Sequence, residues 1–202
     1  MKQKFSLLMI ISGLNLCWYF LFVSSLFNFW FRLIIIMVLL NLLAFNYHNY
    51  DFEFSLIDII YGFFSALILY FIFVGGKYLS SRLFLDTQNQ IMSLYALKRE
   101  SHLIIIILAL ILAGIGEEIF WRGFLQDKLA QAIDGRLAYL MVSLVYGGVH
   151  LWTGNFILVL AALTAGFFWG YLFLKTRSMV LVISSHVIWD LLVFILFPLN
   201  FD

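Results

Sequence analysis

The sequence predicts an all-α membrane protein, a polytopic helical bundle of about seven or eight transmembrane helices. Of its 202 residues, 64% are hydrophobic and only 11% are charged, whereas soluble domains are roughly half apolar and a quarter charged. The apolar residues gather in runs of about 20, the length that crosses a bilayer as a helix. These runs lack the alternating pattern of barrel strands, so helices are the expected spanning structure.

Seven apolar runs are predicted to form the spanning helices. They cover residues 5–24, 26–46, 55–75, 103–123, 137–154, 156–174 and 179–197. The intervening residues 76–102 mix polar and apolar side chains, which predicts a loop with an interfacial amphipathic helix. We expect a single integral membrane domain, residues 1–202, with front helices and this loop in 1–102 and a core of helices in 103–197.

Charge and cysteine content exclude several classes of function. The net charge is +1 at pH 7, which gives no basic field for binding nucleic acid. The single cysteine, Cys17, cannot form an intramolecular disulfide, and a lone thiol is a poor metal site. We therefore expect the lipid bilayer as the surroundings and no nucleic acid as a partner.

Charged and polar residues within the late apolar runs are the strongest indication of function. Each charge placed in hydrocarbon costs at least about 2.5–3.5 kcal/mol on insertion scales, so a chain with few charges is expected to keep them there for chemistry. The residues form three groups, which are Glu117, Glu118 and Arg122; Tyr146 and His150; and His186 and Asp190.

Helical spacing separates the two adjacent glutamates. Glu118 and Arg122 are four residues apart, so they share a helix face and are expected to pair through charge-assisted hydrogen bonds. Glu117 is rotated by about 100° on a 3.6-residue helix and lacks that partner. This pattern predicts a neutralised, structural Glu118 and an unpaired Glu117 that suits a general base or acid.

The two later groups repeat the four-residue spacing. Tyr146 and His150 share a face, and the two glycines between them let a neighbouring backbone come close. His186 and Asp190 share a face of the last helix, where one can orient the other or both can face a common cavity. Glu117 and His150 are displaced from the centres of their predicted runs, so convergence requires the fourth helix to bury or break the turn after Glu117.

Other polar or small residues in the apolar runs receive weaker interpretations. Asp58 begins its helix, which favours a snorkelling flank over a buried relay. Ala162, Gly166 and Gly170 form a stripe of small residues that is typical of helix packing. The remaining polar candidates, to which no role is assigned, are Asn15, Arg32 and Asn41.

At the three groups the sequence resembles the CPBP family, which comprises CAAX proteases and bacteriocin-processing enzymes and is also called the Abi family. The family pattern is Glu-Glu-x-x-x-Arg, then Phe-x-x-x-His, then His-x-x-x-Asn or Asp. The chain matches the first and third parts, and in the second it has Tyr146 where phenylalanine is usual. The resemblance covers about residues 103–197 and does not extend to the first hundred residues.

The resemblance implies an intramembrane endopeptidase of the glutamic type. Glu117 and His150 would hold and deprotonate the attacking water, while His186 and Asp190 would stabilise the tetrahedral oxyanion. The structural Glu–Arg pair would hold the site together. Amide hydrolysis by water needs such a base and such donors.

Asp190 leaves two questions open. An ionised aspartate repels an oxyanion, so either Asp190 is protonated or it charges and orients His186, whose imidazolium then donates. Alternatively, Glu117, His150, His186 and Asp190 are nitrogen and oxygen ligands that zinc accepts together with a water molecule. The sequence lacks a tight ligand motif such as H-E-x-x-H, which favours the mechanism without metal or other cofactor.

The expected substrate is a membrane-associated peptide or protein, and the expected location is a prokaryotic plasma membrane. Peptide pheromones, bacteriocin leaders and C-terminal sorting tails all fit this class. Two other functions are considered. An ion-coupled transporter would use the same residues but needs a polar path to both faces and usually a repeat, and a non-catalytic immunity protein would carry degraded motifs.

Overall fold

The computed structural model describes residues 2–45 and 52–200, and this part of the chain consists of helices joined by short connections, without strands. The predicted all-α membrane bundle is confirmed. Asn46, the predicted end of the second span, lies outside the described residues. The α-helices are α1 Lys2–Val23, α2 Phe29–Ala44, α3 Leu56–Leu83, α4 Thr87–Ala96, α5 Leu103–Glu118, α6 Asp127–Ala130, α7 Gly135–Val149, α8 Phe156–Thr176 and α9 Met179–Leu191.

Four helical segments are long and apolar enough to cross a membrane. They are Leu56–Leu83, Leu103–Ala130, Phe156–Thr176 and Met179–Leu196. Phe29–Ala44 and Met9–Val23, the part of α1 whose side chains the structure describes, are shorter apolar helices, and α7 has 15 residues. Among the described residues, four of the seven predicted spans thus meet the length and hydropathy requirements in full. The backbone of α1 extends over 22 residues, and the chain is an integral membrane protein.

Polar caps determine where most of these helices begin. In each case a side-chain oxygen accepts a hydrogen bond from a backbone N–H of the first turn, which has no carbonyl partner inside the helix. Such a cap stabilises a helix by about 1 kcal/mol. The capping residues are Asn28, Ser55, Asp134, Asn155 and Ser178, for α2, α3, α7, α8 and α9 respectively.

The third helix is longer than predicted. The prediction ended it at Gly75, the first residue of a Gly-Gly-Lys sequence, but α3 continues to Leu83. Glycine costs a helix only about 1 kcal/mol, whereas an unsatisfied backbone group in lipid costs several. The helix predicted within 76–102 is present as α4. It packs against α8, where Gln90 Oε1 accepts from Ile157 N at 3.0 Å.

The fifth helix also differs from its predicted range of 103–123. After Glu118 the chain widens into a π-helix, Ile119–Gln126, and then continues through α6. Phe120 and Trp121 are buried inside this π-helix. The whole segment spans Leu103–Ala130, so Glu117 lies at its centre, and the predicted difficulty with depth is resolved by a longer helix.

Glycines allow α9 and its neighbours to pack closely. A Cβ on Gly62 of α3 would lie 1.9 Å from Ser184 Oγ, and one on Gly114 of α5 would lie 3.1 Å from Val187 Cα. In α7, Gly147 faces Leu163 of α8, as predicted, but Gly148 has nothing within 4 Å. Close helix contacts of this kind replace the hydrophobic driving force that is missing in lipid.

The end of α9 is tied to the segment around α4. A second π-helix, Leu192–Leu196, follows α9, and its wider turn leaves backbone carbonyls to be satisfied from outside. The Tyr95 hydroxyl donates to Val193 O at 2.9 Å, and Lys98 Nζ donates to Phe194 O at 2.9 Å. These bonds place the loop region beside the cavity described below.

Replacing Gly114 by alanine is expected to destabilise the fold, because the new methyl would press on the backbone of Val187, next to His186. Overpacking of this kind costs about 1–3 kcal/mol. Thermal unfolding in detergent would measure the loss. The control is Gly75→Ala, which has open space around it and should be neutral or slightly stabilising. Equal unfolding temperatures for the two variants would contradict the close α5–α9 contact.

Candidate active site

A cavity of about 320 Å³ lies between the helices that carry the three predicted groups. Its polar lining includes Glu117, Tyr146, His150, His186 and Asp190. We call it the central cavity. Glu118 and Arg122 do not line it and are almost fully buried, at 0% and 1% exposure. The structure thus brings the predicted residues together and separates them into a group facing the cavity and a pair behind its wall.

Glu118 is the hydrogen-bond acceptor of the buried Glu118–Arg122 pair. Its Oε1 accepts a hydrogen bond from Arg122 Nη1 at 2.9 Å, as the spacing predicts. The same oxygen also contacts His186 Nδ1 at 2.7 Å. Through these two contacts Glu118 links α5 to α9. The contact with His186 was not predicted from the sequence.

Arg122 extends the network to α8. Its Nη2 donates to the backbone oxygen of Gly166 at 3.2 Å. A Cβ on Gly166 would lie 3.2 Å from Ser143 O, so this glycine lets α8 pack closely on α7. The guanidinium also lies 5.0 Å from the ring centroid of Tyr146 and 5.7 Å from that of Trp169. Cation–π contacts of this length stabilise a desolvated arginine. The small-residue stripe of α8 therefore has a packing role, as predicted.

Glu117 faces the cavity and has a different partner. The Tyr146 hydroxyl donates to Glu117 Oε2 at 2.6 Å. No cation among the described residues forms an ion pair with this carboxylate. It therefore keeps acceptor capacity on the cavity side, which is what a proton-accepting carboxylate requires.

The backbone of Tyr146 selects the tautomer of His150. His150 Nδ1 lies 2.7 Å from Tyr146 O, and a carbonyl oxygen only accepts, so Nδ1 carries the proton. In the neutral ring, Nε2 then holds the lone pair. His150 ends α7 and begins a 3₁₀ turn that closes at Gly154, whose φ of 65° suits glycine.

His186 lies between two carboxylates. Its Nδ1 contacts Glu118, and its Nε2 is 3.7 Å from Asp190 Oδ2. That second distance is an ion-pair distance and too long for a hydrogen bond. The ring stacks on Trp169 with a centroid separation of 3.7 Å and an interplanar angle of 20°. Trp169 thus fixes the imidazole plane, a role that its apolar helix did not indicate.

The front helices form the other wall of the cavity, which sequence reasoning missed. Trp18 of α1 is fully buried and lies edge-on to Trp121 at 5.5 Å and to His150 at 6.2 Å. Phe22 packs on His150 at 5.7 Å. Aromatic residues in an apolar helix carry no chemical signature, so only the tertiary structure identifies them as site neighbours.

The remaining polar residues of the apolar runs differ in their contacts. Asn15 and Asn41 donate to backbone carbonyls of their own helices. Asp58 accepts from Ser178 Oγ at 2.8 Å, so it joins α3 to the start of α9 instead of extending away as a snorkelling flank. Arg32, in contrast, is buried and lines the central cavity.

The donor set was also tested for a metal site. His150 Nε2 and the carboxylates are ligand types that zinc accepts. Among the described residues, however, no group of three histidine, cysteine, aspartate or glutamate side chains has the arrangement needed to hold a metal ion. The described residues as placed do not fit a zinc centre.

Comparison with known proteins supports the family resemblance. Residues 99–192 match the sequence model of the family described as Type II CAAX prenyl endopeptidase Rce1-like. All seven predicted site residues fall within this range, whereas α1–α3 precede it. No curated protein and no solved structure matches the chain.

Replacing Glu118 by glutamine should destabilise the protein far more than the same change at Glu117. Glu118→Gln leaves the buried Arg122 charge uncompensated, and breaking a buried pair costs about 3–5 kcal/mol. Glu117→Gln keeps an acceptor for the Tyr146 hydroxyl and should cost about 1 kcal/mol or less. Thermal unfolding of both variants in the same detergent would test this order. Similar losses would contradict the division into a structural and a cavity-facing glutamate.

Proposed function

The chain belongs to the CAAX protease family and is an intramembrane protease, and from that premise we propose a glutamic mechanism. Glu117 and His150 activate a water molecule that cleaves a peptide bond of a membrane-associated substrate. The observation that carries the proposal is the placement of the two glutamates. Glu117 lines the central cavity with one neutral donor, while Glu118 lies behind the wall and is engaged by Arg122 and His186.

The attack step uses one acceptor on each side of the water. The Glu117 carboxylate takes a proton as the water oxygen bonds to the scissile carbonyl carbon. His150 presents the Nε2 lone pair, because its Nδ1–H is held by Tyr146 O, and it accepts the second hydrogen bond of the water. Positioned general bases of this kind contribute about 10²- to 10⁴-fold to the rate.

His186 and position 190 stabilise the oxyanion that this attack creates. Contacts with Glu118 on Nδ1 and with Asp190 near Nε2 favour the imidazolium form of His186. Because Asp190 is too distant to accept a hydrogen bond, the Nε2–H is available to an oxygen in the cavity. Of the two arrangements open from the sequence, the proposal adopts an ionised Asp190 that charges and orients His186.

Collapse of the tetrahedral intermediate completes the reaction. The proton that Glu117 took from the water passes to the amide nitrogen as the carbon–nitrogen bond breaks. The products are a carboxylic acid and an amine, between which a proton then transfers to give a carboxylate and an ammonium group, and Glu117 returns to its ionised form. The balance needs only substrate and water, so no cofactor enters the proposal.

The proposed substrate is a peptide held at the membrane by a lipid or an apolar segment. A second cavity of about 470 Å³ supports this class, because its lining is mostly apolar and it shares Trp189 and Phe194 with the central cavity. The matched family description names a CAAX prenyl endopeptidase, so a prenylated C-terminal peptide is the first substrate to test. A prokaryotic plasma membrane stays the predicted location.

Replacing Glu117 by glutamine is expected to lower kcat by about 10²- to 10⁴-fold, because the general base is lost. The measurement is cleavage of a prenylated C-terminal peptide, followed by mass spectrometry, using protein purified in detergent. Glu53→Gln is the matched control, since Glu53 is exposed and lies outside the cavity. A zinc chelator should leave the wild-type rate unchanged.

Two outcomes would contradict this mechanism. Equal rates for wild type and Glu117→Gln would remove Glu117 from the reaction. Loss of activity with chelator, restored by added zinc, would instead assign the same residues to a metal site. Each result is read only on protein that unfolds at the temperature of the wild type.

Asp190→Asn should keep kcat/KM within about tenfold of the wild type, whereas Asp190→Leu should lower it by about 100-fold. Asparagine supplies an N–H that donates to the oxyanion and compensates for the lost carboxylate. Leucine has similar volume but removes the charge that holds His186 as an imidazolium donor and, unlike asparagine, supplies no N–H of its own. The loss of one oxyanion donor costs about 10²- to 10³-fold. If asparagine were as damaging as leucine, stabilisation of the oxyanion at this position would be the wrong role.

A further inference from the structure

Arg32 is a buried cation of the central cavity that the proposed mechanism does not use. It lies in the first turn of α2 and is 8% exposed. Its side chain lines the same cavity as Glu117 and His150. An arginine near a helix end usually extends to the membrane surface, but the burial of Arg32 shows that this one turns inward.

The guanidinium has no counter-charge within the described part of the chain. Nε and Nη1 are buried without a hydrogen-bond partner, and no described carboxylate pairs with this arginine. Glu100 lies near the start of α2 but caps it, accepting from Phe29 N at 2.9 Å. A buried charge left in this state is strongly destabilising, whereas the charge of Arg122 is compensated by Glu118.

Arg32 is within reach of a peptide bound at Glu117. Helices α2 and α5 run in the same direction, because Trp30 Nε1 bonds Leu97 O ahead of α5 and Gly116 packs on Met37 and Asn41. Arg32 therefore precedes the level of Glu117 by roughly seven residues, or about 10 Å of helix. That is the length of about three residues of extended chain.

We propose that Arg32 binds the C-terminal carboxylate of the peptide substrate and so selects for cleavage close to a free C-terminus. The inference rests on the proposed function. A guanidinium binds a carboxylate through two parallel hydrogen bonds, and the N-terminus of α2 adds a favourable dipole for an anion. A terminal carboxylate seated there positions a peptide bond about three residues inward at Glu117.

The test uses two versions of one fluorescein-labelled prenylated peptide, which end in a free carboxylate and in a carboxamide. Wild type should cleave the acid with a kcat/KM about 10- to 100-fold higher than the amide, mainly through KM, since a hydrogen-bonded charge pair is lost. Arg32→Gln should cleave both peptides at the rate of the wild type on the amide. Arg32→Lys should restore part of the preference.

Binding is measured separately from cleavage, so that carboxylate binding by Arg32 and the proposed protease activity are tested independently. Fluorescence anisotropy with Glu117→Gln protein should show the same preference for the acid, and adding Arg32→Gln should abolish it. The control is Arg99→Gln, an exposed arginine whose loss should leave the preference unchanged. Comparison of the carboxamide across all variants separates loss of folding from loss of recognition.

Equal binding of acid and amide to Glu117→Gln protein would overturn the inference, even if the wild type cleaves both peptides. An acid preference that survives Arg32→Gln would also overturn it. If instead Arg32→Gln changed only the retention of anionic phosphatidylglycerol during purification, the partner of Arg32 would be a lipid phosphate and the proposal would fail. A wild type that binds the acid through Arg32 but cleaves neither peptide would support the inference and reject the proposed function.

Discussion

The fold of the site depends on a single oxygen atom, Glu118 Oε1, that accepts from Arg122 and from His186. Each charge alone would be prohibitive in this environment, and together they are tolerable. Because Arg122 lies in the π-helix that continues α5, His186 lies in α9, and Arg122 also bonds the backbone of α8, charge compensation fixes three helical segments in one register. The glycines at these contacts are a consequence, since the helices must approach closely for such short bonds to form.

That constraint explains how adjacent glutamates acquire different environments. Adjacent side chains on an α-helix point about 100° apart, so Glu118 points into the buried network while Glu117 points into the cavity. Tyr146 then connects the cavity residues in two ways, through its hydroxyl to Glu117 and through its carbonyl to His150. The family pattern has phenylalanine here, which would keep the backbone contact and lose the hydroxyl. The tyrosine of this chain therefore adds a donor to the carboxylate without altering the histidine tautomer.

Side-chain contacts within one helix were predictable from the sequence, whereas the contacts between helices at the site were not. Composition predicted the helical bundle, and four-residue spacing predicted the Glu118–Arg122 pair. The contact of Glu118 with His186 joins residues 68 apart, and no periodicity encodes it. The spacing argument assumed 3.6 residues per turn throughout, so the π-helix after Glu118 and the true length of that segment were missed. Glycines at 75 and 76 suggested a helix end, but in lipid the backbone hydrogen bonds outweigh glycine's low helix propensity.

The two halves of the chain contribute opposite charges to one cavity. The part that matches the family supplies the carboxylates of Glu117 and Asp190, whereas α2, which precedes the match, supplies an unpaired guanidinium. A peptide entering this field is oriented by it, because an anionic end is repelled by the carboxylates and attracted to Arg32. In a cavity bounded mainly by apolar helices such a bias is larger than at a protein surface, because less solvent screens it. Catalytic chemistry and substrate orientation can thus be divided between regions of different sequence character, and only packing of α1 and α2 against the catalytic helices joins them.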